Sequence, residues 1–298
     1  MARRFYTLDV FANRALAGNP LAVVLDAERL DDAAMQAIAR EFNLSETVFV
    51  SDPRNAINSA AMRIFTPTRE LPFAGHPTIG TAALLAHLRA PDLLATQDLR
   101  VVLEQKIGEV VCVARRRRGE GLAAYFTVPR LPTPAGAPPP VAALAQGLGL
   151  EPADLGFRNH VPSVYGVGAP HIFIPVASLD AMRRANPLKT AWGADGGPSV
   201  YLYGAETVGA EASYHARMFA GGWGIAEDPA TGSAAAAFAA VVTAFDRPGD
   251  GEHMLIIEQG YEMGRPSLIS LGLEIEAGAL TSATIGGAAV IVSEGKLL

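Results

Sequence analysis

The chain carries the same strings twice, at a nearly fixed offset of half its 298 residues, and no other feature constrains its fold as tightly. Gly18-Asn19-Pro20 and the apolar run Leu21 to Leu25 return as Gly168-Ala169-Pro170 and the run His171 to Val176. Arg63-Ile64-Phe65 returns as Arg217-Met218-Phe219, each closing a β-rich run. His76-Pro77-Thr78-Ile79-Gly80-Thr81-Ala82-Ala83 returns as Asp228-Pro229-Ala230-Thr231-Gly232-Ser233-Ala234-Ala235, a shared x-Pro-x-x-Gly-(Thr/Ser)-Ala-Ala. Gly, Pro and Ala are frequent here, so one such match could arise by chance. Three in the same order, each in a strand-then-helix context, predict a duplicated lobe.

The period of the apolar residues says what each lobe contains. In the first half, Arg4 to Phe11, Leu21 to Leu25, Thr47 to Val50, Ala61 to Phe65, Val101 to Gln105 and Val110 to Val113 are β-rich runs between turn residues. A helix opens near Asp31, whose carboxylate can cap free N–H groups, with Met35, Ile38, Ala39 and Phe42 on one face. A second helix is expected from Pro77 or Thr78 to Leu88, with proline tolerated in its first turn, and its twin from about Ala230 to Phe245. Both are crowded with Ala, Gly, Thr and Ser, and Ser233-Ala234-Ala235-Ala236-Ala237-Phe238 has no charged face, so protein must surround it. The expected class is α+β: two pseudo-symmetric lobes, each a curved mixed β-sheet wrapped around a central helix. The boundary is placed at the block Arg115 to Arg118, giving lobes 1–118 and 119–298, with a Pro-rich connection from Leu131 to Pro140 and a short helix at Val141 to Leu148. The tail from Met254 to Leu298 reads as a β-meander.

Several function classes fall away. With 24 Lys and Arg against 30 Asp and Glu, the net charge of −6 lacks the positive field of a nucleic-acid binder. The single cysteine, Cys112, rules out an intramolecular disulfide framework and a multi-thiolate zinc site, and it suits a reducing, cytoplasmic setting. No secretory signal is read at the start, and the uncharged run between Asp228 and Asp246 suits a helix buried in protein better than a membrane span. Gly166-Val167-Gly168 lacks the third glycine of a dinucleotide fingerprint, and no Gly-Lys-(Ser/Thr) follows a glycine-rich loop, so no cofactor is expected. The six histidines are scattered without a close ligand pair, so no metal is expected either. Ser233 sits in Thr-Gly-Ser-Ala rather than Gly-x-Ser-x-Gly, which gives no support to a hydrolase nucleophile elbow. If both central helices begin at the duplicated turns, their N-termini suit a small carboxylate ligand in a cleft between lobes, with His76 opposite Asp228.

Four longer strings carry a resemblance. They are Asn43-Leu44-Ser45-Glu46-Thr47-Val48-Phe49; Phe65-Thr66-Pro67 with Glu70-Leu71-Pro72-Phe73-Ala74-Gly75-His76-Pro77-Thr78; Glu227 to Ala234; and Gln259-Gly260 with Glu262-Met263-Gly264-Arg265-Pro266-Ser267. In order and spacing the chain resembles the phenazine-biosynthesis PhzF-like isomerases along essentially its whole length. The resemblance implies the fold of diaminopimelate epimerase, cofactor-free proton transfer on a carbon skeleton, a dihydro-hydroxyanthranilate-like substrate and a homodimer. It implies Glu46 as general acid/base, with Gly75, His76, Asp228 and Ser233 binding substrate or tuning that carboxyl. Ser45, Pro77, Thr231 and Gly232, beside them in the same strings, complete the substrate-binding candidates.

Moving a proton between two carbons needs a base that becomes an acid within one turnover, which a carboxyl group can do. A glutamic acid of ordinary pKa, about 4.3, donates poorly at neutral pH, so partial burial near Asp228 is expected to raise it. A thiol pair is not available, because Cys112 is alone. Read from position only, Glu46 is a solvated strand end, His76 a turn residue bonded to backbone, Asp228 a helix cap and Ser233 a small packing residue. Glu227 reads as a neighbour on the turn rather than a second base. The alternatives to the isomerase are an epimerase or racemase of an amino-acid-like substrate and a non-catalytic small-molecule binding protein.

Overall fold

The computed structural model describes residues 2–117, 121–187, 199–220 and 225–298. Contacts divide them into two compact units. The first spans residues 1–127 together with 286–298, and the second spans Val128–Ile285. Arg118 and Gly119, where the sequence draws its boundary, lie outside the described residues. The observed division falls later, between Thr127 and Val128, and the end of the chain returns to the first unit.

That first unit is built on β1 (Arg3–Val10), β2 (Asn19–Val24), β3 (Glu46–Ser51), β4 (Ala60–Phe65), β5 (Glu70–Leu71), β6 (Leu99–Gln105), β7 (Gly108–Arg117) and β8 (Gly121–Thr127). β1 pairs antiparallel with β2, β2 parallel with β3, β3 antiparallel with β4, β4 parallel with β6, and β6 antiparallel with β7. A parallel pair needs a crossover, and helix α1 (Asp32–Phe42) supplies the one between β2 and β3. Its Asp31 cap accepts from the Ala34 N–H at 2.8 Å, and Met35 and Ala39 are buried against Val24, Phe49 and Phe65. α2 (Gly75–Arg89) crosses between β4 and β6, followed by α3 (Pro91–Leu94). Every residue of α2 from Gly75 to Ala86 is buried, against β1, β2, β3, β6, β7 and β8. At Gly80 a Cβ would come within 2.6 Å of Leu21 and 2.7 Å of Val10, which shows how closely the sheet approaches the helix axis.

The second unit repeats this order. After β9 (Thr133–Pro134) and α4 (Val141–Leu148) come β10 (Ser163–Val167), β11 (Ala169–Pro175), α5 (Leu179–Arg184), β12 (Ser199–Gly204), β13 (Tyr214–Ala220) and β14 (Ile225–Asp228). α6 (Gly232–Phe245), β15 (Gly251–Gln259), β16 (Ser267–Glu276) and β17 (Ala279–Leu297) complete the chain. β10 to β11 is antiparallel, β11 to β12 parallel, β12 to β13 antiparallel, β13 to β15 parallel and β15 to β16 antiparallel, the same sequence of senses as in the first unit. α6 is buried against β10, β11 and β16. The tail is indeed β-rich, but the end of β17 pairs antiparallel with β1, from Val10 opposite Ala289 to Arg3 opposite Leu297.

The duplicated side chains keep equivalent partners. Arg63 grips Glu70 through Nε and Nη2, both at 2.7 Å, and lies 5.1 Å from the Phe65 ring. Arg217 grips Glu227 at 2.8 and 3.0 Å and lies 4.8 Å from the Phe219 ring. Such two-pronged pairs fix geometry as well as charge. They fasten the short strands β5 and β14, which lead into the helix-opening turns, to β4 and β13.

Candidate active site

In the first unit the site grows from the start of β3 and the start of α2. Glu46 is the first residue of β3, opposite Leu21 of β2, and only 9% exposed. It is therefore not the solvated strand end that its position suggested. Ser45 precedes it, half-buried. α2 begins at Gly75, two residues before the sequence-derived start, because the Thr78 N–H and hydroxyl both bond the Ala74 carbonyl, at 3.3 and 2.7 Å. Gly75, His76 and Pro77 consequently form the buried first turn of the helix rather than the turn ahead of it. This brings His76 Nε2 to 3.3 Å from Glu46 Oε2.

His76 is 5% exposed, and burial drives its imidazole down to about 3, against the opposing pull of a hydrogen bond to the Pro20 carbonyl. At neutral pH the ring is uncharged. Its N–H points to Pro20, which leaves the lone pair of Nε2 toward Glu46. Bonding to backbone and facing the carboxyl thus coexist.

In the second unit Asp228 closes β14, and the turn Pro229 to Thr231 leads into α6. α6 starts at Gly232 rather than Ala230, and Thr231 rather than Asp228 holds the cap position. The Asp228 carboxylate instead accepts the Thr231 hydroxyl at 2.5 Å. Gly232 is buried and Ser233 half-buried in the first helical turn. Tyr201, fully buried on β12, has its phenol pushed well above the ordinary range, first by burial and then by the negative charge of Asp228. Glu227 is occupied by Arg217, in keeping with its reading as a neighbour rather than a base.

Sequence reasoning gave no role to Gln259, which is fully buried at the end of β15. Its Nε2 donates to the Asp228 carbonyl at 2.7 Å and the Thr231 hydroxyl at 3.2 Å, and its Oε1 accepts the Thr231 N–H at 3.2 Å. A signal was present: Glu104-Gln105 and Glu258-Gln259 recur at the offset of the other repeats. Glu104 accepts the N–H groups of Arg54 and Asn55, and Glu258 those of Val208 and Gly209. Gln105 reaches Thr78 Oγ1 at 3.0 Å as Gln259 reaches Thr231. Also unforeseen was His215, held between Glu258 at 2.7 Å and Glu262 at 3.0 Å.

Cys112 is buried on β7, and burial pushes its thiol up to about 12, which keeps the thiolate form scarce at neutral pH. Among the described residues no three of His, Cys, Asp and Glu gather to hold a metal ion, and no helix is long and apolar enough to cross a membrane.

Residues 8–295 match the family of phenazine biosynthesis-like proteins. The chain is 48% identical to an uncharacterized isomerase of Mesorhizobium japonicum, over 99% of this chain and 98% of the relative. It is 36% identical to the trans-2,3-dihydro-3-hydroxyanthranilate isomerase of Pseudomonas fluorescens, over 99% of each. The crystal structure of a phenazine biosynthesis protein, PhzF family, from Bacillus anthracis superposes with a TM-score of 0.87 at 26% identity, covering 100% of this chain and 99% of the other. The repeated mixed sheets around buried helices are those of the diaminopimelate epimerase-like fold, and the chain is an isomerase belonging to the phenazine biosynthesis-like (PhzC–PhzF) family.

Proposed function

We propose that this isomerase shifts a proton between two carbons of a small cyclic or amino-acid-like carboxylate, with Glu46 carrying the proton and no cofactor taking part. The observation that carries the reading is the buried Glu46 carboxyl, 3.3 Å from the lone-pair nitrogen of an uncharged His76. An imidazolium there would hold Glu46 as a carboxylate and weaken it as a base. The neutral ring accepts a hydrogen bond from the acid form and pairs permanently with neither form. Glu46 takes a proton from one carbon, the electron pair spreads into the conjugated carboxylate, and the same carboxyl returns the proton to a second carbon. Removal and return then occur on one face of the substrate. His76 and Asp228 complete the catalytic set. Ser45, Gly75, Pro77, Thr231, Gly232 and Ser233 are the substrate contacts, the N–H groups of Gly232 and Ser233 in the first turn of α6 being suited to a carboxylate. The relative named for trans-2,3-dihydro-3-hydroxyanthranilate, similar over its whole length, supports a compound of that class as substrate.

The test is to incubate the enzyme with trans-2,3-dihydro-3-hydroxyanthranilate in deuterated water and follow the carbon-bound hydrogens by NMR. The expected result is migration of one hydrogen, with part of the original label retained through the single carboxyl. Glu46→Gln should lower the rate by about 10²–10⁴-fold while largely preserving binding. Wild-type rates in Glu46→Gln would remove Glu46 from the chemistry. Inversion of a stereocentre without migration would establish the epimerase reading instead.

A further inference from the structure

We propose that the C-terminal Gln259-Gly260 turn is the seat that positions Asp228, with Gln259 as a positioning residue. This rests on the role given to Asp228 above. Among the described residues, the side chain of Gln259 makes three hydrogen bonds, all to the Asp228–Thr231 turn, 28 to 31 residues earlier in the chain. Its amide orientation is fixed, because Oε1 must face the Thr231 N–H while Nε2 faces two oxygens. Thr231 Oγ1 accepts from Gln259, so its own proton is directed to Asp228 Oδ2. Gln259 thereby sets the height of the Asp228 backbone and the direction of the Thr231 hydroxyl that donates to its carboxylate.

Gly260 supplies the matching shape. Its φ of +78° suits glycine, and a Cβ there would stand 2.6 Å from the Pro229 carbonyl oxygen and 2.5 Å from that of Arg265. The seat is itself held rigid. Glu258 is fixed by the Val208 and Gly209 N–H groups and by His215, and the other nitrogen of His215 takes Glu262 from the far side of the turn. The Arg265 N–H closes the turn on the Gly260 carbonyl at 2.9 Å. The fourth motif, Gln259 to Ser267, thus acquires a function: it is the surface on which the Asp228-Pro229-Ala230-Thr231 turn, the second copy of the repeated x-Pro-x-x-Gly string, rests.

The test compares the full-length protein with Gln259→Leu by amide hydrogen exchange and by turnover of trans-2,3-dihydro-3-hydroxyanthranilate. The Thr231 amide should exchange at least about tenfold faster in the variant, while amides in the middle of α6 keep their rates. Turnover should fall at least about tenfold in kcat with KM changed less than about twofold, and the same substitution made in Asp228→Asn should cost no further activity. A merely structural glutamine would cost the same in both backgrounds. Wild-type Thr231 exchange in Gln259→Leu, or equal losses in the two backgrounds, would overturn the proposal. Should Gln259→Leu not fold, Thr231→Val cuts the hydroxyl relay with the seat intact, and the same non-additivity with Asp228→Asn is required of it. If the wild-type enzyme leaves the probe compound unchanged, the functional reading fails, while the Thr231 exchange rate still decides the seat.

Discussion

A general acid/base works within tenths of an ångström, and Glu46 reaches His76 from the first position of a strand whose backbone is fixed on both sides by β2 and β4. If Glu46 carries the proton as proposed, shortening it by one methylene keeps a carboxyl group and moves it. Glu46→Asp is therefore expected to lose about 10²-fold in kcat, less than Glu46→Gln, with the thermal midpoint nearly unchanged. A larger loss in Asp than in Gln would point to a steric role for the side chain. Cys112 gives the complementary control. With the thiol unexposed and its pKa near 12, the native protein should resist alkylation by iodoacetamide. Cys112→Ala should keep full turnover at a stability cost of about 1 kcal/mol for the small void. Rapid labelling of the folded enzyme, or lost activity in Cys112→Ala, would reopen thiol chemistry.

Each lobe depends on a sheet closing tightly on one small-residue helix, and Gly80 of α2 shows that closeness in the first unit. Alanine there would gain about 1 kcal/mol of helix propensity. It would also press on Leu21 and Val10, both fully buried, and overpacking typically costs about 1–3 kcal/mol. Gly80→Ala should lower unfolding stability in urea, and a stabilised variant would show that β1 and β2 can yield. The alanine-rich composition of these helices and the x-Pro-x-x-Gly repeat made the two-lobe class legible from sequence, because a helix without a polar face has few places to go. The local pattern also gave α1 and its Asp31 cap. It missed the start of α2 by two residues, since the Thr78 hydroxyl bonding Ala74 leaves no mark on apolar periodicity. Glu46 was legible only through a family resemblance, since nothing local says that a strand-opening glutamate is buried. The grip of Gln259 on the Asp228 turn and the pairing of β17 with β1 were not legible either. Both are long-range, the second joining Thr7 to Ser293 across nearly the whole chain.

At the scale of the whole molecule, buried histidines of opposite sign govern how stability responds to pH. Burial drives His76 to about 3 and His171 to about 4, both below the unfolded value of 6.5. As pH falls below 6.5 the unfolded chain binds protons at these sites that the folded chain refuses, so stability declines by up to about 1.4 kcal/mol per pH unit for each histidine. His215 behaves in reverse. Burial pulls it down, but hydrogen bonds to Glu258 and Glu262 together outweigh burial and raise it to about 8. Its contribution is complete below 6.5 and is lost as pH rises through 8. The carboxylates held low by partners, such as Glu70 beside Arg63, start from an unfolded value of 4.5, so their losses come only in more acid solution. The window from 6.5 down to 5 therefore isolates His76 and His171, and the window from 6.5 up to 8.5 isolates His215 among the buried histidines. Urea unfolding should give maximal stability near pH 6.5, falling on both sides. His171→Asn should reduce the slope of the acid limb to the share left by His76, and His215→Gln should flatten the alkaline limb, each leaving the other limb in place. Stability at pH 5 equal to that at 6.5 would mean that His76 and His171 take up protons in the folded state, and the neutral imidazole on which the proposed role of Glu46 rests would go with it.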